Sequence, residues 1–115
     1  MSARRSALAR LADNAPVFAA LGDPTRLRIV GRLSEGGPAS ISNLTEGASV
    51  SRQAIAKHLN ALEDAGLVRS EWVGRERIVE LRTARLAEVR RYLDEISGQW
   101  DAAIDRLRAF VEKED

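Results

Sequence analysis

Ser51, Arg52, Gln53 and Lys57 sit within two turns at the start of a segment that reads as a helix. Arginine, glutamine and lysine are the side chains that bond base edges and phosphates. A helix N-terminus adds free amides and a partial positive charge suited to the same phosphates. Ser51 fits an N-cap, because its hydroxyl can accept from a first-turn amide. Arg75 and Arg77 follow further along, at a Gly74-Arg75 turn. Together these groups imply binding to duplex DNA. The competing interpretation is a solvated helix face in any small α-rich protein.

Other chemistry finds little to work with. The chain has no cysteine and one histidine, His58, which excludes thiolate metal sites, disulfides and cysteine nucleophiles. His58 shares a helical flank with Ile55 and Leu62, so a half-buried structural role is expected rather than a metal ligand. Asp94, Glu95, Asp101 and Asp105 lie on a long helix that also carries Arg90, Arg91, Arg106 and Arg108, and they read as a solvated face with helical ion pairs. No phosphate-cradling glycine loop or nucleophile motif occurs, so neither an enzyme nor a cofactor is expected.

The elements that must position Arg52 and its neighbours are legible around them. Ile55, Leu59 and Leu62 recur at helical spacing and give the segment from Ser51 one apolar side, and Gly66 closes it. A hairpin follows, Val68 to Val73 and Glu76 to Leu81, with Gly74 as the first residue of a type II′ turn that needs positive φ. Upstream, Asp23-Pro24 starts a helix that runs through Leu27, Val30 and Leu33, and Gly36-Gly37-Pro38 stops it. A short helix from Ser40 to about Gly47 has Ile41 and Leu44 on its inner face, and Ala48-Ser49-Val50 turns into the helix at Ser51. Two helices joined this way form a helix-turn-helix, and the hairpin adds a wing.

At 115 residues the chain is expected to form one domain, residues 1–115. Its net charge of +1 is low for a nucleic-acid binder, so distribution matters more than the sum. Arg4, Arg5, Arg10, Arg26, Arg28 and Arg32 outweigh Asp13 and Asp23, whereas the chain from Thr83 onward has an acidic excess. No apolar run can cross a bilayer and MSARRSALAR lacks a signal core, so no membrane association and a cytoplasmic location are expected.

The segment after Thr83 carries a heptad stripe: Leu86, Val89, Leu93, Ile96, Trp100, Ala103, Leu107 and Phe110. A helix of that span is roughly 40 Å long, more than a small fold can cover, and a second copy of the same helix is the simplest cover. Trp100 falls on the stripe, which favours a dimer-core role over lining a small-molecule pocket. Gly98 lies off it and marks a candidate bend. In the first stretch Leu8, Leu11, Ala15, Phe18 and Leu21 are helically spaced, with Pro16 expected to kink or restart the helix. Trp72, on the first wing strand, either packs on the core or lies against a partner.

LGDPTRLRIVGRL, SISNLTEGASVSRQAIAKHLNALEDAGLV and VGRERIVEL together resemble the ArsR family of bacterial winged-helix transcriptional repressors, over roughly residues 17 to 110. The resemblance implies a mainly α fold with a small β-hairpin, a winged helix-turn-helix of four helices, two strands and a last helix. It also implies a homodimer through residues 1–21 and 83–113, which places Leu8, Leu11, Leu86, Val89, Leu93, Ile96, Trp100 and Leu107 at the interface. Two recognition helices would enter successive major grooves of an imperfect palindrome. By matching positions, Ser51, Arg52, Gln53 and Lys57 fall where members touch DNA, and Arg75 and Arg77 at the wing.

Three features depart from the family pattern. Ala56 replaces a Ser that often contacts DNA, and Ser49 replaces a turn Gly, which asks a residue with a Cβ for a conformation Gly adopts more cheaply. The Cys-containing motif and the His and carboxylate set of metal-sensing members are both missing, which implies the non-metal branch with an inducer of unknown identity. The expectation is a repressor that binds double-stranded DNA as a homodimer. The alternatives are a winged-helix protein-interaction module without DNA binding, or a metal- or redox-responsive repressor.

Overall fold

The computed structural model describes residues 7–113, without the side chains of Ala7, Leu8 and Leu11, so the interface candidates Leu8 and Leu11 lie outside what is described. The chain forms two compact units. One is Ala15–Leu86; the other joins the N-terminal residues up to Asn14 to the chain from Ala87 onward.

In the first unit, α2 (Ala15–Leu21) follows α1 (Ala7–Asp13) of the second after a turn at Asn14. Pro16 restarts the helix, since a first-turn position needs no amide donor. The restart resets the helical phase. Val17 and Ala20 are therefore buried, whereas Phe18 of the expected apolar row is 39% exposed. Asp23 caps α3 (Pro24–Gly36), its Oδ2 accepting from the Arg26 amide at 3.0 Å. Ile29 and Leu33 form the buried side of α3, and Leu27 is exposed. Gly37, at φ 75°, ends the helix.

A two-residue strand, β1 (Ala39–Ser40), leads into α4 (Ile41–Thr45), which is shorter than the sequence suggests because Gly47, at φ 70°, turns the chain away. Ser40 both pairs in the sheet and caps α4, accepting from the Asn43 amide at 3.1 Å. The left-handed residue of this turn is Gly47, and among the described residues no residue other than glycine has positive φ. The conformational cost expected at Ser49 therefore does not arise.

The helix α5 (Arg52–Asp64) starts where expected. Ser51 Oγ accepts from the Ala54 amide at 3.1 Å, and Ile55, Leu59 and Leu62 are 0% exposed. At its end Leu67 N donates to Leu62 O and Gly66 N to Glu63 O, a paired closure that glycine at φ 78° makes possible. The hairpin strands β2 (Val68–Val73) and β3 (Glu76–Leu81) pair in register from Val68 with Leu81 to Val73 with Glu76. Ala39 pairs with Val79, giving the sheet order β1-β3-β2. Strand β1 leaves no mark in the sequence, since two residues carry no alternation.

The last helix, α6 (Thr83–Lys113), is continuous through Gly98, so the candidate bend is not there. Helical bonding over 31 residues spans about 46 Å and outweighs a glycine that costs about 1 kcal/mol relative to Ala. In the second unit Arg10 of α1 pairs with Glu95 of α6 at 2.6 Å and lies over the Tyr92 ring. Val89 is buried on the α6 stripe, but Trp100 is 66%, Leu107 63% and Phe110 62% exposed, with Leu93, Ile104 and Val111 also open.

Candidate nucleic-acid interface

Three apolar residues hold α5 in the core of the first unit, which forces its other side outward. Arg52, Gln53 and Lys57 are all exposed, with Gln53 and Lys57 one turn apart on one flank. The amides of Arg52 and Gln53 precede the first possible intrahelical acceptor, so the helix start presents unpaired donors there. Ser51 uses its own hydroxyl as the cap.

Polar contacts fix the start of α5 against its neighbours. Arg52 Nη1 donates to Ser42 Oγ of α4 at 3.2 Å and so bridges the turn between the two helices. Arg26 Nη1 lies 3.4 Å from His58 Nδ1, and Asp23 Oδ2 lies 3.8 Å from the same nitrogen. Arg26 Nε also donates to the Ala20 carbonyl at 2.6 Å, at the end of α2. His58 therefore joins a small polar cluster linking α2, α3 and α5, with its side chain 22% exposed, the half-buried role expected. The Arg26 amide bonding to Asp23 holds that carboxyl below its ordinary range, and burial opposes the shift only partly. Among the described residues no three His, Cys, Asp or Glu side chains converge as metal ligands would.

The wing is built differently at its two arginines. Gly74 has φ 63°, as the first position of a II′ turn requires, and Arg75 beside it is exposed at the tip. Arg77 points back toward α5. Its Nη2 donates to Asn60 Oδ1 at 3.1 Å and to Glu63 Oε2 at 3.0 Å, and its Nε to Ser70 Oγ at 2.9 Å. With a side chain 12% exposed, its donors are engaged inside the unit. Arg77, expected from the sequence to contact DNA, ties the wing to α5 in this structure. Asn60 and Glu63 were missed in the sequence; their only signal there is a spacing of three on a helix, which many solvated faces share.

Ala56 is half-buried on the flank between Arg52 and Asn60. Trp72, whose role the sequence left open, is 68% exposed and so does not pack on the core.

Known proteins match this arrangement in sequence and in shape. The helix-turn-helix domain family matches residues 21–71, the segment from the end of α2 into β2. The HTH-type transcriptional regulator YuzN of Bacillus subtilis is 46% identical over 69 residues, covering 55% of this chain and 75% of the relative. An HTH-type transcriptional regulator of Methanocaldococcus jannaschii is 32% identical over 82 residues, covering 71% of this chain and 92% of the relative. An ArsR-like transcriptional regulator from Rhodococcus sp. RHA1 superposes with a TM-score of 0.74 at 43% identity, over 87% of this chain and 93% of that one. By sequence and by shape the chain belongs to the ArsR-like winged helix-turn-helix family of DNA-binding transcriptional regulators, which are not enzymes.

Proposed function

We propose that the chain is a homodimeric repressor that reads an imperfect palindrome in the cytoplasm. The observation that carries the proposal is the contrast between α5, whose Ile55, Leu59 and Leu62 are 0% exposed, and α6, whose stripe keeps Trp100, Leu107 and Phe110 more than 60% exposed. A stripe of that width and length calls for a partner helix, and a twofold pairing of identical stripes is the simplest one. A twofold dimer carries two copies of α5, so its site contains two related half-sites about one helical turn of DNA apart.

Within each half-site Ser51, Arg52, Gln53 and Lys57 approach the major groove, where Arg52 and Gln53 read base edges and Lys57 meets phosphate. Arg75 at the wing tip meets the flanking backbone. Arg77 acts one step back, by fixing the wing to Asn60 and Glu63. The chain works as one functional domain, residues 1–115, with residues 1–21 and 83–113 as its dimerisation helices. Repression follows from overlap of the bound dimer with a promoter.

The test is a gel shift against duplexes tiling the DNA upstream of the chain's own gene, alongside light scattering. Tighter binding to one duplex than to its scrambled version, and a particle of twice the 12.6 kDa chain mass, are expected. Equal affinity for both duplexes, or a single-chain particle at binding concentrations, overturns the proposal.

A further inference from the structure

The ladder sorts the wing into two chemically different faces. Arg69 with Glu80, Glu71 with Ile78, and Val73 with Glu76 are paired on one face; Ser70 with Val79 and Trp72 with Arg77 are paired on the other. The first face is acidic once Arg69 and Glu80 are matched to each other. The second is the face from which Arg77 reaches Asn60 and Glu63, so it looks to the same side as α5. Trp72 stands on that face two residues before the turn at Gly74-Arg75, and the residue is 68% exposed.

An open indole between α5 and a tip arginine, with the wing's carboxylates directed to the opposite face, is placed for a polyanion that also offers apolar edges. We propose that Trp72 is a DNA-contacting residue of the wing, packing its ring on deoxyribose carbons beside the groove that α5 enters. The inference rests on the DNA-binding role above. It adds an uncharged contact, one that strengthens binding to any duplex without releasing a counterion. Phosphate contacts release ions and steepen the salt dependence; apolar packing on sugar does not.

The chain has two tryptophans, so the difference between the parent and Trp72→Phe isolates the Trp72 signal while Trp100 remains. The probes are the duplex of about 30 base pairs that binds best in the gel shift, chosen to exceed one dimer footprint, and its scrambled version. With saturating duplex the Trp72 emission is expected to change and to become protected from acrylamide. Trp72→Ala is expected to bind both duplexes about tenfold more weakly, with the slope of log affinity against log salt unchanged and Trp72→Phe keeping most of the parent affinity.

A bound duplex that leaves the Trp72 emission and quenching unaltered overturns the inference while sparing the DNA-binding role. So does a folded Trp72→Ala variant that binds within twofold of the parent. Protection of Trp72 that grows with protein concentration in the absence of DNA also overturns it, by assigning the ring to a second copy. If the parent binds no duplex, both proposals fall together. Should Trp72→Ala fail to fold, as judged by circular dichroism, the parent and Trp72→Phe quenching comparison decides the matter.

Discussion

Two helices of this chain carry the same kind of apolar repeat and meet opposite fates. In α5, Ile55, Leu59 and Leu62 are spaced by three and four and are 0% exposed. In α6, Leu93, Trp100 and Leu107 belong to a row of the same spacing and remain 47%, 66% and 63% exposed. Periodicity states that a face must be covered; it does not state what covers it. For α5 the cover comes from the chain itself, through residues such as Val17, Ile29, Leu67 and Val79, all nearly or fully buried. For α6 a second copy supplies it in the proposed dimer.

The comparison breaks first at the level of stability. Leu59→Ala removes a fully buried side chain and is expected to cost about 2 to 5 kcal/mol in denaturant unfolding, whereas Leu107→Ala should cost the isolated chain under about 1 kcal/mol. Equal losses would mean that α6 is covered within a single chain. Next comes assembly. Leu107→Glu places a charge on the open stripe and is expected to weaken self-association more than tenfold, by sedimentation, with far-UV circular dichroism unchanged. An unaltered mass would separate the stripe from dimerisation.

The α5 side of the contrast is then tested by readout. Arg52→Ala or Gln53→Ala should narrow the gap between the best duplex and its scrambled version by about 1 to 3 kcal/mol each, if each holds a bidentate base contact. Retention of the full gap would leave these side chains as solvated groups. At the wing, Arg75→Ala is expected to lower the salt slope by about one ion per protomer, and Arg77→Ala to weaken binding with the slope kept, since its charge is held by Glu63. A slope change for Arg77→Ala and none for Arg75→Ala would reverse the two roles.

The smallest effect concerns pH. Asp23 has its carboxyl lowered chiefly by the Arg26 amide, so its contribution to stability is present above the ordinary carboxylate range and is lost as pH falls through the lowered value. The parent should therefore lose stability on acidification below about pH 4, and Asp23→Asn should flatten that part of the profile. Thermal melts between neutral and acidic pH measure it, and parallel profiles for the two proteins would remove Asp23 as a source.

Helix caps and glycine turns are set locally, which is why the sequence displays them. Asp23, Ser40 and Ser51 cap helices through bonds that span only three residues, and Gly66 and Gly74 take positive φ at single positions. Such interactions depend on neighbours in the chain, so composition and spacing are enough to place them. The apolar rows of α4 and α5 were legible for the same reason, but those of α2 and α3 shifted in phase, because Pro16 restarted one helix and only packing chose the inner side of the other.

What depended on distant contacts could not be read from spacing. Strand β1 exists because Ala39 and Ser40 meet Val79 and Ile78, and Arg77 braces the wing because Asn60 and Glu63 stand 14 to 17 residues away in sequence and about 3 Å away in space. Ser49 escaped its expected strain because Gly47 took the left-handed turn position. The chain alone thus dictated where helices start and which kind of ligand the α5 surface suits, through short-range bonding and side-chain chemistry. Tertiary structure alone decided that Arg77 is engaged internally, that Trp72 stays open and that the α6 stripe is left exposed, because each of those outcomes is set by what the fold brings alongside.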